Sequence, residues 1–429
     1  PADHPLRRID DVLDLSELRA RLKPFYSAMG RPSVDPELMV RMLLVGYCFG
    51  IRSERRLCQE VHLNLAYRWF CRLGLDGSVP DHSTFSLNRH GRFRESDAFR
   101  LVFESVVRRC MAAGLVAGEG FAVDASVLEA DASRYHGVPG DEAIDWSDPT
   151  LSTRAVREYL AGLDPTPDET RKPPKVISRS DPCSAWTAKA NKRVMFGYGL
   201  NYLIDTEHAI IVDVEATPAR TKDEVAATRT MIERTDRRLG LKPGRLAADT
   251  AYGTGAFLGW LVDQGIAPHI PVWDRSRRVD GTFSRQDFIY DRERDRYVCP
   301  GGKTLATTGK VHADNTYRYR ASSLDCAGCP LKPHCCPNTA ARKVPRDVHE
   351  DARDQARSLA ATEPFARSRN QRKKVEMLFA HLKRHLGFAR LRLRGLSGAR
   401  DEFLLAATVQ NLKRLATLTA IPPPQPSTA

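Results

Sequence analysis

Three acids are placed where they could do chemistry together. Asp124 lies inside an apolar run, Gly120–Val127, and Asp249 ends a second one, Arg245–Ala248. Glu376 is the single carboxylate between Arg367 and Arg394, a stretch with ten Lys or Arg residues. Carboxylates gathered in one cleft repel one another, so such an arrangement calls for a compensating hard cation. Mg²⁺ suits it, because it accepts a few carboxylate oxygens, keeps waters in its other positions and binds phosphate. Two such ions about 3.5–4 Å apart stabilise the attacking and leaving oxygens of an in-line phosphoryl displacement. Each residue also has a plainer reading. An Asp at a strand end caps a turn, and a lone acid in a basic helix pairs with a neighbour, here Arg372.

The elements that must position these acids follow from apolar spacing. Val375, Leu378, Phe379, Leu382 and Leu386 fall on one face of a helix expected over Arg367–Arg394, and Arg369, Arg372, Glu376 and Lys383 form a flanking stripe. Lys373, Arg384, Arg390 and Arg392 add to its positive charge. Strands are expected at Gly120–Val127, Phe196–Ile204, Ala209–Val214, Arg245–Ala248 and Ala267–Val272, with helices over Thr221–Leu239, Ala256–Gln264 and Asp401–Leu418. The order β-β-β-α-β-α-β, insertion, α describes an α/β fold with a mixed sheet flanked by helices. If the first strand pairs in parallel with the one ending at Asp249, the two aspartates meet at neighbouring strand ends. A helix packed on that sheet then brings Glu376 beside them.

Residues 1–115 read as all-helical. Asp35-Pro36-Glu37 opens a helix through Leu44, and Ser53 caps the next. Asn64 starts one with Leu65, Trp69, Phe70 and Leu73 on one side, and Ser83 or Thr84 starts one containing Arg89, Arg92 and Arg94. Phe99–Met111 completes the set. Such short basic helices fit a helix-turn-helix DNA reader and a dimerisation bundle equally. The core is expected at 116–273 and, with its C-terminal helices, at 351–420. Residues 134–192 read as a long irregular loop with Pro165, Pro167, Pro173 and Pro174 among charges, and a short helix near Ala155–Leu163. The Pro-rich tail 421–429 is expected to be disordered.

Residues 274–350 form an insertion holding five of the ten cysteines, which is a metal pattern and not a disulfide framework. Cys326-Ala-Gly-Cys329, Cys335 and the Cys299-Pro-Gly-Gly turn offer four thiolates for a structural, zinc-ribbon-like Zn²⁺ site. Cys336 or His334 could replace one ligand, and the alternative is a set of reduced thiols.

The chain of 429 residues carries a formal charge of +13, which points to a polyanionic partner, and its clustering on one helix favours nucleic acid. No apolar run approaches the ~18 residues of a membrane-spanning helix. No signal-peptide pattern occupies Pro1–Gly30. A cytoplasmic, nucleoid-associated protein is expected.

The segments Phe121-Ala-Val-Asp124-Ala-Ser126, Ala247-Ala-Asp249-Thr-Ala-Tyr252-Gly253 and the helix with Arg372, Glu376 and Lys383 together resemble bacterial insertion-sequence transposases of the DDE type. The family's third-acid motif is Tyr, two residues, Arg, three residues, Glu, six residues, Lys. Here Arg369 stands at the tyrosine position. The resemblance extends to the helical N-terminus with its Asp81-His-Ser-Thr84-Phe85 segment. It implies an RNase H-like core and Asp124, Asp249 and Glu376 as ligands of two Mg²⁺ ions, for which Mn²⁺ can substitute. It also implies binding of double-stranded terminal inverted repeats and target DNA by a homodimer in a synaptic complex. Hydrolytic nicking would free a 3′-hydroxyl that attacks target DNA, with no covalent protein–DNA intermediate.

Two rivals remain at this stage. A transposase-derived architectural protein would need the charge but not the three acids, and an RNase H-like nuclease or resolvase would need no large N-terminal region. Several other residues carry plainer expectations. Glu129 and Asp131 read as solvated loop acids, Asp205 as a turn residue, and Asp213 as pointing outward from its strand. Tyr252 and Trp260 could stack on an exposed base, and His381 and His385 lie along phosphate.

Overall fold

The computed structural model describes residues 3–26, 29, 33–163, 174–188, 193–220, 223–274 and 278–419. The chain begins with helices α1 (Pro5–Val12), α2 (Leu18–Leu22), α3 (Pro36–Cys48), α4 (Glu54–Leu63), α5 (Leu65–Phe70), α6 (His82–His90), α7 (Arg92–Glu95) and α8 (Ala98–Ala112). Strands β1 (Gly120–Glu129) and β2 (Gly137–Pro139), helix α9 (Arg154–Ala161) and strands β3 (Val176–Ser178), β4 (Ala185–Thr187), β5 (Met195–Asp205) and β6 (Ile211–Pro218) follow, then α10 (Asp223–Leu239). Next come β7 (Arg245–Ala247), α11 (Gly255–Asp263), β8 (Ala267–His269), β9 (Ile289–Asp291), β10 (Arg296–Val298), β11 (Thr304–Ala306) and β12 (Thr316–Arg320). The last elements are α12 (Ser323–Ala327), α13 (Lys332–Cys335), β13 (Lys343–Asp347), α14 (Glu350–Ala360), α15 (Glu363–His385) and α16 (Leu396–Leu418). They form two compact units, Pro1–Gly244 with Asn370–Ala429, and Arg245–Arg369.

In the first unit, side-chain caps set the helix starts. The Asp35 carboxylate accepts from the Glu37 amide with Pro36 at the first helical position, and Asn64 accepts from the Ala66 and Tyr67 amides. Asp81, and not Ser83 or Thr84, caps α6 by accepting from the Ser83 amide at 2.8 Å. Gly91 separates α6 from α7, so the single helix expected through Arg94 is two. On α5, Phe70 is buried while Leu65 and Trp69 are exposed, which breaks the expected apolar side. Trp69 instead lies under the Arg7 and Arg72 guanidiniums at 4.8 and 5.8 Å.

Strand β5 pairs antiparallel with β1, β4 and β6, and Asp124 stands opposite Tyr202 in the β1–β5 register. The region expected as a long irregular loop holds the short helix expected near Ala155–Leu163, as α9 with Thr153 as its cap, and also an unexpected β2–β3 pair. Of its prolines, Pro165, Pro167 and Pro173 lie outside the described residues, as do Thr221 and residues 421–429. Helix α16 binds the unit together. It packs against α1, α3 and α8 and also against β6, and Leu404, Leu405, Val409 and Leu412 are all buried. Residues 1–115 and the sheet therefore share one core and are not separate compact bodies.

The second unit holds the parallel pair β7–β8, with α11 and α14 packed together. Strands β9 to β13 form an antiparallel sheet in the order β13-β12-β11-β10-β9, around Tyr290, Tyr297 and Tyr319. Among the described residues no helix is long and apolar enough to cross a membrane.

Helix α15 begins in the second unit and ends in the first. Its expected apolar face is buried at Val375, Leu378, Phe379, Leu382 and Leu386, and Phe379 stacks on Tyr202 with ring centroids 5.0 Å apart. It stops at His385 and does not run to Arg394, because Gly387 takes a left-handed φ of 60°. The chain beyond it is extended along the end of β1. Glu129 donates its amide to the Ala389 carbonyl at 3.2 Å, and Leu391 donates to the Glu129 carbonyl at 2.7 Å.

Candidate active site

Alternate residues of β1 project to one face, and α15 lays its charged stripe along Asp124 and Ser126. Arg372 reaches two acids at once. Its Nη1 is 2.9 Å from Asp124 Oδ2, and its Nη2 is 3.0 Å from Glu376 Oε1. The plain helical pair Arg372–Glu376 therefore exists, and the same guanidinium extends it to the first strand. Two turns on, the Lys383 ammonium donates to Ser126 Oγ at 2.6 Å and to the Val127 carbonyl at 3.3 Å. Lys374 donates to the Thr206 and Glu207 carbonyls at 2.8 and 2.9 Å. Side-chain exposure is 19% for both Asp124 and Arg372 but 54% for Glu376. The first acid is thus sheltered and the third faces solvent, with one cation between them. Hard oxygen donors already neutralised by a shared cation fit a divalent metal in donor type and charge.

Asp249 belongs to the second unit, where it follows β7. Its Oδ1 accepts from the Ala251 amide at 2.8 Å and caps a single 3-10 turn, Thr250–Tyr252. The plain cap reading of this residue holds locally.

The cysteines of the insertion gather. Cys299, Cys326, Cys329, Cys335 and Cys336 line one small cavity with Leu305 and Leu331. Cys299 Sγ accepts the Lys303 amide at 3.3 Å, as the tight Pro-Gly-Gly turn allows. Burial, then the neighbouring Cys336 thiol, push the Cys335 pKa up to about 11. Among the described residues, no three or more His, Cys, Asp or Glu side chains are grouped so that they could hold a metal ion.

Several candidates are placed differently from expectation. Arg89 is buried and paired to Glu54 at 3.0 Å, so it holds α6 to α4 and offers no face to DNA. Tyr252 is 1% exposed and is a core residue, which removes it as a stacking platform. Trp260 lies parallel to Phe257, with ring centroids 5.9 Å apart. Arg92 lies over the Tyr26 ring at 4.5 Å and donates to Asn88 Oδ1 at 2.6 Å. Asp213 points inward, buried between Arg100 and Arg234, with Arg234 Nε at 2.7 Å. Asp131 is tied by Arg390 at 3.3 Å and Arg394 at 3.1 Å, so it is no free loop acid. Glu129 lies in β1, and Asp205 is buried, accepting from the Gly118 and Glu207 amides. The His381 and His385 rings stand 5.2 Å apart, with His381 Nδ1 3.5 Å from Gln410 Nε2. Arg369, Lys373, Arg384, Arg390 and Arg392 are exposed, the last two on the extended segment and not on a helix.

One organising residue escapes the sequence reading. Buried Glu402 accepts the Arg392 and Leu393 amides at 2.6 and 2.7 Å and pairs with Arg52. Its only signal is an acid beside the apolar run Phe403-Leu404-Leu405.

Two family models match the chain. The first, described as transposase domain (DUF772), covers residues 1–91, and the second, described as transposase DDE domain, covers residues 298–416. The second match takes in the cysteine cluster and the Arg372–Glu376–Lys383 stripe, while Asp124 and Asp249 lie outside both.

Proposed function

We propose that this chain, an insertion-sequence transposase of the DDE type, nicks the ends of its element to free 3′-hydroxyls and joins them to target DNA. The observation that carries the reading is the Arg372 guanidinium held between Asp124 and Glu376. Two acids 252 positions apart thus share one cation, the first sheltered and the other facing solvent.

In this reading Asp124, Asp249 and Glu376, on an RNase H-like core, would hold two Mg²⁺ ions, for which Mn²⁺ could substitute. The metals supply Lewis acidity and a bound water of lowered pKa. Arg372, which holds Asp124 and Glu376 here, would be free to turn its fork to a scissile-strand phosphate if metal took over those carboxylates. Lys383 fixes Ser126 and Val127, and so holds the strand that carries Asp124. Arg369, Lys373, Arg384, Arg390 and Arg392 grip the backbones of terminal-repeat and target duplexes, with two copies of the chain in the synaptic complex. Both steps are phosphoryl transfers, to water with the element's 3′-oxygen leaving and then to that 3′-hydroxyl with the target strand's 3′-oxygen leaving, so no protein side chain acts as nucleophile. Cys299, Cys326, Cys329 and Cys335, which line one cavity without being grouped around a metal, would have to close up to hold a structural Zn²⁺.

The test is incubation of the full chain with end-labelled candidate element ends and Mg²⁺, followed by mapping of nicks. Mg²⁺-dependent 3′-hydroxyls at the element boundary are expected. Binding without any nicking would leave an architectural DNA-binding protein and overturn the catalytic reading.

A further inference from the structure

We infer that a cavity between the start of α4 and the segment after α15 is a seat for a backbone phosphate of a DNA strand. The inference rests on the DNA-binding reading above and assigns it a place outside the acid site. The cavity measures about 430 Å³ and is built within the first unit from two stretches far apart in sequence, 50–56 and 387–392, with Asp131 at its edge. Such a volume exceeds a lone phosphate and admits the phosphate with its attached sugar, within the roughly 300–1,000 Å³ usual for ligand pockets.

Its electrostatics point to an anion. Arg52 forms the floor, with a side chain only 7% exposed and its guanidinium over the Phe388 ring at 4.0 Å. It is ion-paired to Glu402 and donates from Nη1 to the Arg390 carbonyl at 2.5 Å, while its buried Nε has no hydrogen-bond partner among the described residues. Arg390 and Arg392 are two apart on an extended segment, so their side chains share a face. Arg390 is partly neutralised by Asp131 at 3.3 Å. No hydrogen bond or ion pair to the Arg392 guanidinium is found among the described residues, although it lines the cavity. Arg56 reaches Glu60 only at 3.3 Å in an exposed pair. Ser53 caps α4, a ten-residue helix whose positive end therefore opens on the same space. A buried guanidinium charge at the floor with exposed arginines at the rim makes a site that orders a phosphate without reading sequence.

The experiment measures duplex DNA binding by the full chain across a salt series, for the parent, Arg56→Gln, Arg392→Gln and the exposed control Arg292→Gln in the second unit. The two rim positions are exposed and leave the Arg52–Glu402 floor intact, so folding is kept. Removing one phosphate contact should lower the slope of log K against log salt by about 0.9. At 0.1 M salt, Arg392→Gln should weaken binding on the order of tenfold, a loss typical of one charge-assisted contact, with Arg292→Gln unchanged. Parental affinity and slope in both rim variants would overturn the seat while leaving DNA binding itself standing. A parent that binds no DNA would overturn both readings. Calorimetric titration with inorganic phosphate separates the sources: phosphate binding lost in Arg392→Gln, with DNA affinity unchanged in that variant, would mark a free-anion site and overturn the strand assignment.

Discussion

Replacing Glu376 by Gln separates chemistry from charge on α15. The side chain is 54% exposed and, among the described residues, its one ion pair is to Arg372, four residues earlier, at 3.0 Å. Exposed pairs of this spacing contribute about 0.3–0.5 kcal/mol. Gln keeps the shape and can still accept from Arg372, so the melting temperature should move by no more than ~2 °C. The reaction should respond on another scale. Loss of one electrostatic stabiliser of a developing charge typically costs about 10²–10³ in rate, and a lost anionic metal ligand should reach at least the upper end, ~4 kcal/mol of barrier. The assay is single-turnover nicking of an end-labelled duplex in Mg²⁺, with DNA affinity and melting measured in parallel. Affinity should be unchanged or slightly tighter, because a negative charge near phosphate is gone. Arg372→Gln supplies the contrast. It removes the Arg372 guanidinium from the sheltered Asp124, which should cost about 1–3 kcal/mol of stability, and Mg²⁺ should restore part of it. A Glu376→Gln protein that nicks at the parental rate would refute the reasoning, as would an Arg372→Gln deficit indifferent to Mg²⁺.

Arg100→Met should destabilise the first unit by about 1–3 kcal/mol in urea unfolding, since it removes one of the two guanidiniums on buried Asp213 and leaves Arg234 in place; an unchanged midpoint would count against it. Burial raises the Asp181 carboxyl from its ordinary value to about 6. A raised folded-state value means stability is fully present below pH 4 and lost as pH rises to about 6, by ~3 kcal/mol; Asp181→Asn should flatten that slope in melts across this window, and a persisting slope would assign it elsewhere. If the cysteine cavity holds zinc, metal analysis should give one equivalent per chain, and Cys329→Ser should lose it and loosen the insertion. Freely alkylated thiols with well under one zinc would dismiss the site.

The sequence is most readable where a local period carries the information. The α15 core face and the Arg372–Glu376 pair follow from 3.6-residue spacing, and both appear where that spacing puts them. The end of α15 was also readable, since Lys383-Arg384-His385 followed by Gly387 is an ordinary C-terminal signature, but the continuing run of arginines masks it. Arg89 was not readable. Its partner Glu54 lies 35 residues earlier, and no pattern on α6 distinguishes a buried arginine from a DNA-facing one. Tyr252 and Asp213 fail in the same way, because which way a single side chain turns depends on elements remote in sequence. The limit between 1–115 and the sheet is invisible for a further reason. The change from helices to strands at Gly120 marks a change of secondary structure, and only the packing of α16 decides whether it is also a change of core.

That packing bears on how such a protein could be re-engineered or could diversify. Helix α16 contributes to the helical region on one side and to β6 on the other, through a continuous row of buried side chains. If end recognition resides in residues 1–115, it cannot be moved as a cassette. A graft cut at residue 115 would strip α16 of its packing against α1, α3 and α8 on the recipient and leave the donor helices without their floor. Exchange between related chains should succeed only when 396–418 travel with the N-terminus, so the two ends of the polypeptide are bound to change together.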